Sequence, residues 1–133
     1  MTTDPVHVRS GTSLASARSL MQRDEVGRLL VVDEDGQLAG VVARGDILEA
    51  WPSRFQPLAP NEVRELMARV AVDEVMATDV VSVEPGATLA EAANLMFEHR
   101  VGALPVLEMG QVVGILTCSD MLQGLVRILA HRD

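Results

Sequence analysis

Residues 114–120 read GILTCSD, and residues 40–46 read GVVARGD. The frame is shared: a glycine, two aliphatics, three variable residues and an aspartate. Each stretch closes a longer correspondence. Residues 1–34 lie over 76–109, with MTTDPVHVRSG over MATDVVSVEPG, TSLASARSLM over ATLAEAANLM and EVGRLLVVD over RVGALPVLE. A one-residue adjustment at Asp35 brings GQLAGVVARGDIL over GQVVGILTCSDML. That is roughly 20 identities in about 47 positions, where chance gives about three, so the chain is a tandem duplication with a repeat of about 75 residues.

Within each repeat the apolar spacing changes along the chain. Val6 and Val8, like Val81 and Val83, alternate with polar residues as a short strand, and Gly11 and Gly86 mark the turn that follows. Leu14, Ala17, Leu20 and Met21, matched by Leu89, Ala92, Leu95 and Met96, then recur at helical spacing on one face. Ser13 and Thr88 stand where N-caps belong. The runs from Leu29 to Val32 and from Leu104 to Leu107 are β-rich. Asp35-Gly36 and Met109-Gly110 supply hairpin turns, and Leu38–Val42 and Val112–Leu116 return as the second arms. Closing helices are expected from about Asp46 to Ala50 and from Asp120 to Ala130. The order strand, helix, strand, strand, helix makes the fold class α/β (α+β), with one repeat in 1–50 and the other in 73–133.

Residues 51–72 form the connector. Pro52, Pro57 and Pro60 break regular structure there, and Asn61 is expected to cap a short helix running to about Val70. The connector holds the one tryptophan, Trp51, and one of the two phenylalanines, Phe55. Aromatics so placed imply packing against the domain or against a second chain, although a segment that only spans the gap would read similarly.

Composition narrows the partners. The 133 residues carry a net charge of −8, with no lysine and eleven arginines. Such acidity disfavours nucleic acid or an anionic membrane as partner, and the scarcity of aromatics disfavours base stacking. A single cysteine, Cys118, excludes an internal disulfide and a multi-cysteine metal site, and suits a reducing cytoplasm. The first residues show no basic segment followed by an apolar one, and no apolar run reaches the length of a bilayer span. A cytoplasmic protein is expected.

The stretch VSVEPGATLAEAANLMFEHRVGALPVLEMGQVVGILTCSDML and its weaker copy at 6–48 resemble the cystathionine-β-synthase (CBS) domain family, and two such repeats in tandem resemble a Bateman module. The segment RELMARVAVDEVMATDVVSV is also similar to two-repeat proteins related to acetoin-utilisation regulators. The resemblance implies two repeats packed about a pseudo-two-fold axis. It implies a regulatory module that binds an adenosine-containing ligand (AMP, ADP, ATP, S-adenosylmethionine or cyclic di-AMP) in a cleft between repeats. It further implies a homodimer, an unidentified protein partner, and no required cofactor.

The frame's own chemistry fits that ligand class. An ionised Asp120 can accept from both hydroxyls of a ribose, and Thr117 and Ser119 can donate to a phosphate oxygen at the start of a helix, where free N–H groups favour an anion. Gly114 removes a side chain where the strand must approach something closely. The family's phosphate and ribose contacts fall on Thr117 and Asp120, and its apolar adenine contacts on Val80, Val81, Ala103, Leu104 and Pro105. Read without the family, Ser119 or Asp120 before an apolar helix is an ordinary N-cap. The first copy keeps Asp46 but has Ala43 and Gly45 in place of the hydroxyls. Arg44 and Arg28, at the positions of Cys118 and Ala103, are candidates for replacing them with positive charge, and Arg28 is equally a candidate to fill the adenine pocket or to face solvent.

Other residues read more plainly. His99 and Arg100 end a helix, where cations suit the dipole, with Arg100 also a possible phosphate contact. His7 and His131 have no metal-spaced partners, Cys118 occupies the variable slot of the frame, and Met21, Met67, Met76 and Met96 fill the core. The apolar stripe of Met121, Leu122, Leu125, Val126 and Leu129 is a candidate dimer interface. No nucleophile–base pair, metal cluster or glycine-rich phosphate loop is readable, so no catalytic residue and no metal ligand is assigned and an enzyme is not expected. The rival reading is a dimerising protein-interaction scaffold that has lost ligand binding.

Overall fold

Ser13 opens the first long helix as its spacing predicts. In the computed structural model, which describes residues 5–52 and 58–131, the Ser13 hydroxyl accepts the Ser16 N–H at 3.1 Å. Helix α1 (Leu14–Asp24) follows and buries Leu14, Ala17 and Met21 along one face. Glu25 ends it in the left-handed conformation, φ 54°. Strand β1 (His7–Arg9) precedes the helix; β2 (Arg28–Val32) and β3 (Leu38–Ala43) follow it. β2 is central, parallel to β1 and antiparallel to β3. In the turn between β2 and β3, Asp33 Oδ1 accepts the N–H of Asp35 at 2.9 Å and of Gln37 at 3.0 Å, and Gly36 takes φ 80°. The expected turn at Asp35-Gly36 is therefore organised by Asp33, an Asx turn. Helix α2 (Arg44–Ala50) closes the repeat and begins two residues before Asp46.

The second repeat repeats this plan with one loss. Thr88 caps α4 (Leu89–His99) through a reciprocal pair of bonds with Glu91, at 3.1 and 3.3 Å. The arms β4 (Ala103–Glu108) and β5 (Gln111–Thr117) pair antiparallel through the two-residue turn Met109-Gly110, both at positive φ. Their register shifts between Val106 and Leu107, the counterparts of Val31 and Val32, where β2 and β3 shift as well. α5 (Cys118–Ala130) starts two residues earlier than expected. The strand expected at Val81 and Val83 is reduced to one parallel bridge, Val83 to Val106. Two prolines supply the reason: Pro105, at the position of Leu30, cannot give the N–H that Leu30 donates to the Val6 carbonyl at 3.5 Å, and Pro85 stands where Ser10 does. In the first repeat the Ser10 N–H extends the ladder to the Val32 carbonyl at 2.8 Å, and Pro85, at the same position, has no N–H to give.

The connector differs from its sequence reading. α3 (Pro60–Met67) is entered from Ala59 with Pro60 in the first turn, so Asn61 is not the cap, and the helix stops before Val70. Val70–Val72 instead runs beside the start of α1: the Leu14 N–H donates to the Val70 carbonyl and the Val72 N–H to the Thr12 carbonyl, both at 2.8 Å. A turn of 3₁₀ helix, Val72–Glu74, follows. Its Asp73 carboxylate accepts the Gly11 N–H at 2.7 Å and the Ser10 hydroxyl. Trp51 packs against the first core, as aromatics in the connector imply; Phe55 and Pro57 lie outside the described residues.

Two compact units result, one running Val6–Val80 and the other holding the residues after Val80. The first core contains Leu14, Leu29, Val31, Val42, Ile47, Met67 and Val72, with Val63 and Met76 partly buried against it. Residues 73–80, in the second repeat by sequence register, pack here. Val41 and Ala77 exchange hydrogen bonds of 3.0 and 2.9 Å, and a Cβ on Gly40 would lie 2.7 Å from the Ala77 carbonyl oxygen. The second core is smaller: Val83, Ala92, Met96, Leu104 and Val106.

Gly40→Ala should cost about 1–3 kcal/mol in urea unfolding because backbone must move to admit the methyl. Gly45→Ala, with nothing within 4 Å of the new Cβ, should be neutral or gain up to about 1 kcal/mol. The Ser10 hydroxyl and then the Gly11 N–H hold the Asp73 carboxyl below its ordinary value. Its stabilisation is therefore complete above the unfolded pKa, about 3.9, and is lost as pH falls through the depressed native value. Asp73→Ala should cost at most about 1 kcal/mol at pH 7, discounted for solvent screening. Thermal melts of the two proteins should converge in acid.

Candidate functional site

The site is built where a strand turns into a helix. β4 and β5 pair Ala103 with Thr117 and Leu104 with Leu116, and the Cys118 N–H donates to the Gly102 carbonyl at 3.0 Å. The chain enters α5 with Thr117 as N-cap, not Ser119 or Asp120. The Thr117 hydroxyl accepts the Asp120 N–H at 3.1 Å, and Asp120 Oδ2 accepts the Thr117 N–H at 2.9 Å. This capping box satisfies two backbone donors reciprocally, and it is why the helix begins at Cys118. Thr117 and Asp120 are both half-buried, and Ser119 is exposed on the first turn.

The remaining second-repeat residues lie at different depths. Ala103 is half-buried directly across the hairpin from Thr117. Leu104 is fully buried and belongs to the core cluster; Pro105 is buried, and its carbonyl accepts the Val83 N–H at 3.0 Å. Val81 packs, partly buried, against the same cluster. Val80 is half-buried and ends the preceding unit. The structure thus brings Thr117 and Asp120 together, with Ala103 across the hairpin from Thr117, while Leu104 and Pro105 are buried farther along β4 and Val81 packs against the core.

The first repeat has the same corner with one part missing. Arg28 pairs with Ala43, the Arg44 N–H donates to the Gly27 carbonyl at 2.8 Å, and Asp46 Oδ2 accepts the Ala43 N–H at 3.0 Å. Ala43 returns no bond to the helix. Arg44 is turned to the other face: its Nη2 donates to the Val26 carbonyl at 3.4 Å, and it lines a small pocket with Met21 and Ile47. Arg28 is exposed on the strand next to the corner. Arg100 and Glu25 both close a helix at φ 54°, so that position serves the turn in either repeat whatever its charge.

Two features escaped the sequence reading. Gly27 and Gly102 supply the carbonyls that tie each corner to the preceding strand; the identical Val-Gly pair in both copies was the available signal. The groove between α4 and α5, about 720 Å³, is lined by Phe97 and Ala93 of α4 as well as by the stripe on α5. A phenylalanine opposite Gln22 in the repeat alignment marked it. Among the described residues no group of His, Cys, Asp and Glu is placed to hold a metal ion, and no helix is long and apolar enough to cross a membrane.

Removing the cap hydroxyl by Thr117→Ala should cost about 1 kcal/mol in chemical unfolding. Ala43→Thr should recover part of that amount in the first repeat, where the aspartate half of the box already stands.

Comparison with known proteins gives the context for this geometry. The CBS domain model matches residues 1–53 and 72–127. A CBS domain-containing protein of Dictyostelium discoideum is 34% identical over 119 residues, covering 89% of this chain and 82% of that protein. In longer relatives the match is a part: 29% identity over 122 residues with the inosine-5'-monophosphate dehydrogenase of Nitrosopumilus maritimus spans 91% of this chain and 22% of that enzyme. Among solved structures, a Vibrio cholerae protein assigned to acetoin utilization (AcuB) superposes with a TM-score of 0.78 at 33% identity, covering 98% of this chain and 89% of that one. The CBS domain pair of the protein MJ0100, in complex with 5'-methylthioadenosine and S-adenosyl-L-methionine, has the same fold. Its TM-score is 0.75 at 23% identity, with 96% and 93% of the two chains covered. Two matched repeats, each with the same strand-to-helix corner, place this chain in the CBS domain family.

Proposed function

We propose that this chain is a regulatory, non-catalytic module that takes an adenosine-containing ligand at the Thr117–Asp120 corner. The observation that carries the reading is the state of the Asp120 carboxylate. Oδ2 is fixed by the Thr117 N–H at 2.9 Å, while the half-buried group keeps its other oxygen for a ligand hydroxyl. Thr117, Ser119 and the first N–H groups of α5 supply donors for the ligand's polar tail, and Ala103 beside Thr117 offers an apolar edge. The adenosine derivatives bound by the related CBS pair support the ligand class. The first-repeat corner keeps Asp46 but lacks the hydroxyl donors, so a single occupied corner is the expected stoichiometry. Ligand then acts on a partner protein through whatever difference in affinity it has for two states of the module.

A second reading, a scaffold that works through association alone, is favoured by the open apolar groove between α4 and α5. The two are separated by calorimetric titration with AMP, ADP, ATP, S-adenosylmethionine and cyclic di-AMP, alongside thermal melts. A ligand at about 100 times its Kd should add roughly 2.7 kcal/mol, a shift of several degrees for a chain this size. Asp120 also caps a helix, so Asp120→Ala lowers the baseline melt. The decisive comparison is therefore the affinity of Asp120→Asn against that of Thr117→Ala, which loses cap stability while keeping the carboxylate. Loss of binding in Asp120→Asn with weaker loss in Thr117→Ala supports the ligand reading. No binding by any of the five at millimolar concentration leaves the scaffold.

A further inference from the structure

A second polar hollow lies wholly within the unit Val6–Val80, away from the Thr117–Asp120 corner. Helix α1, the residue that ends α2 and helix α3 converge on a cleft of about 810 Å³, a size that suits a small molecule. Thr12, Ser16, Ser19 and Gln22 line it along α1. Trp51 joins them from the end of α2, and Arg18, Arg23 and Arg64 complete the polar wall. A smaller hollow of about 90 Å³ shares Arg18 and Gln22 and adds Arg44. Four of the eleven arginines thus line two adjoining hollows, and none of the described Asp or Glu residues lines either. In a chain of net charge −8 this is a local reversal of sign, and a concave wall concentrates the potential of the charges on it.

Two of the four arginines are already engaged. Arg23 pairs with Asp24 at 3.1 Å, and Arg44 donates to the Val26 carbonyl. Arg18 and Arg64 are different: among the described residues neither has a carboxylate partner or a side-chain hydrogen bond. Arg18 is half-buried, with its guanidinium carbon 4.4 Å from the Trp51 ring centre. Trp51 is itself fixed at the end of α2, where its N–H donates to the Ile47 carbonyl at 2.9 Å. The ring therefore holds Arg18 in place and leaves its N–H donors without acceptors. Arg64 stands exposed on α3, which Met67 and Val63 anchor to the core. Guanidinium groups held with their donors free match phosphate oxygens, which they can bind two bonds at a time. The duplication shows that the fold does not require this wall. At the positions of Ser16, Arg18, Arg23 and Trp51 the second repeat has Glu91, Ala93, Glu98 and Leu125, and Arg64, on the connector helix, has no counterpart. We propose that the α1–α3 cleft is an anion site for a small molecule carrying a diphosphate group. Arg18 and Arg64, on separate helices, are its charged contacts, and Ser16, Ser19 and Gln22 are its neutral donors.

The test is calorimetric titration of the full chain with inorganic pyrophosphate, at about 50 and about 200 mM sodium chloride. Arg18→Gln and Arg64→Gln probe the cleft, and Arg127→Gln on α5 is the control for net charge. Far-UV circular dichroism reports the folding of each variant. Arg64 makes no contact that its loss would break, so Arg64→Gln carries the test if Arg18→Gln, which gives up the ring contact, unfolds. The wild type should bind pyrophosphate, more weakly at the higher salt. Each cleft variant should raise the dissociation constant about tenfold, the loss of one charge-assisted contact, and Arg127→Gln should leave it unchanged. No binding at about 10 mM pyrophosphate and low salt overturns the proposal. So does a dissociation constant that Arg64→Gln leaves unchanged or that Arg127→Gln raises equally. Binding that Thr117→Ala abolishes while both cleft variants retain it belongs to the corner and overturns the proposal as well.

Discussion

A carboxylate three residues into a helix closes back on the last N–H of the strand before it, and both repeats are organised around that bond. Asp46 does this at Ala43 and Asp120 at Thr117. A strand that turns directly into a helix leaves the first helical N–H groups without partners, and no loop is present to satisfy them. The aspartate answers this within the chain. It fixes where the helix starts, which side chains of its first turn face the helical groove and which face the hairpin. Cys118 and Arg44 fall on the groove side for this reason. The carboxylate that terminates the strand is also the group left facing the corner, so one residue serves the fold and the candidate site together.

The duplication shows which parts of the plan are fixed and which are free. The aspartate, the bulge and the left-handed helix ends recur in both repeats. The cap hydroxyl, the first strand and the helical face do not. Each divergence traces to a few substitutions with a physical consequence: Ser10 against Pro85 and Leu30 against Pro105 remove ladder donors, Thr117 against Ala43 removes half of a capping box, and Ala93 and Leu125 against Arg18 and Trp51 exchange a cation over a ring for an apolar wall. The first repeat also gathers the connector onto its core through Val63, Met67 and Val72, whereas the second has a core of few residues and leaves its long helices exposed. The larger core and the larger exposed apolar surface fall in different halves of common origin.

Membership of the CBS domain family fits this division, since the pattern matches both within small proteins and within a short part of larger enzymes. What the family shares is the frame. What distinguishes this chain is the decoration of the two corners and the two faces.

Much of this was legible in the sequence because the repeat is present twice. The order of elements, the caps at Ser13 and Thr88, the turn at Met109-Gly110 and the buried methionines 21, 67 and 96 all follow from local pattern, and local pattern is set by neighbours in the chain. The corner residues Thr117 and Asp120 were legible as a pair for the same reason. Tertiary structure decided the rest. Only packing could show that Val70–Val72 leaves the helix to bond beside Leu14, or that Gly40 is required by the Ala77 backbone across from it, because those partners lie far away in sequence. Only packing could turn Arg44 away from the carboxylate beside it and leave Phe97 on an open face. A side chain's chemistry is written in the sequence, but its direction is set by the elements packed around it.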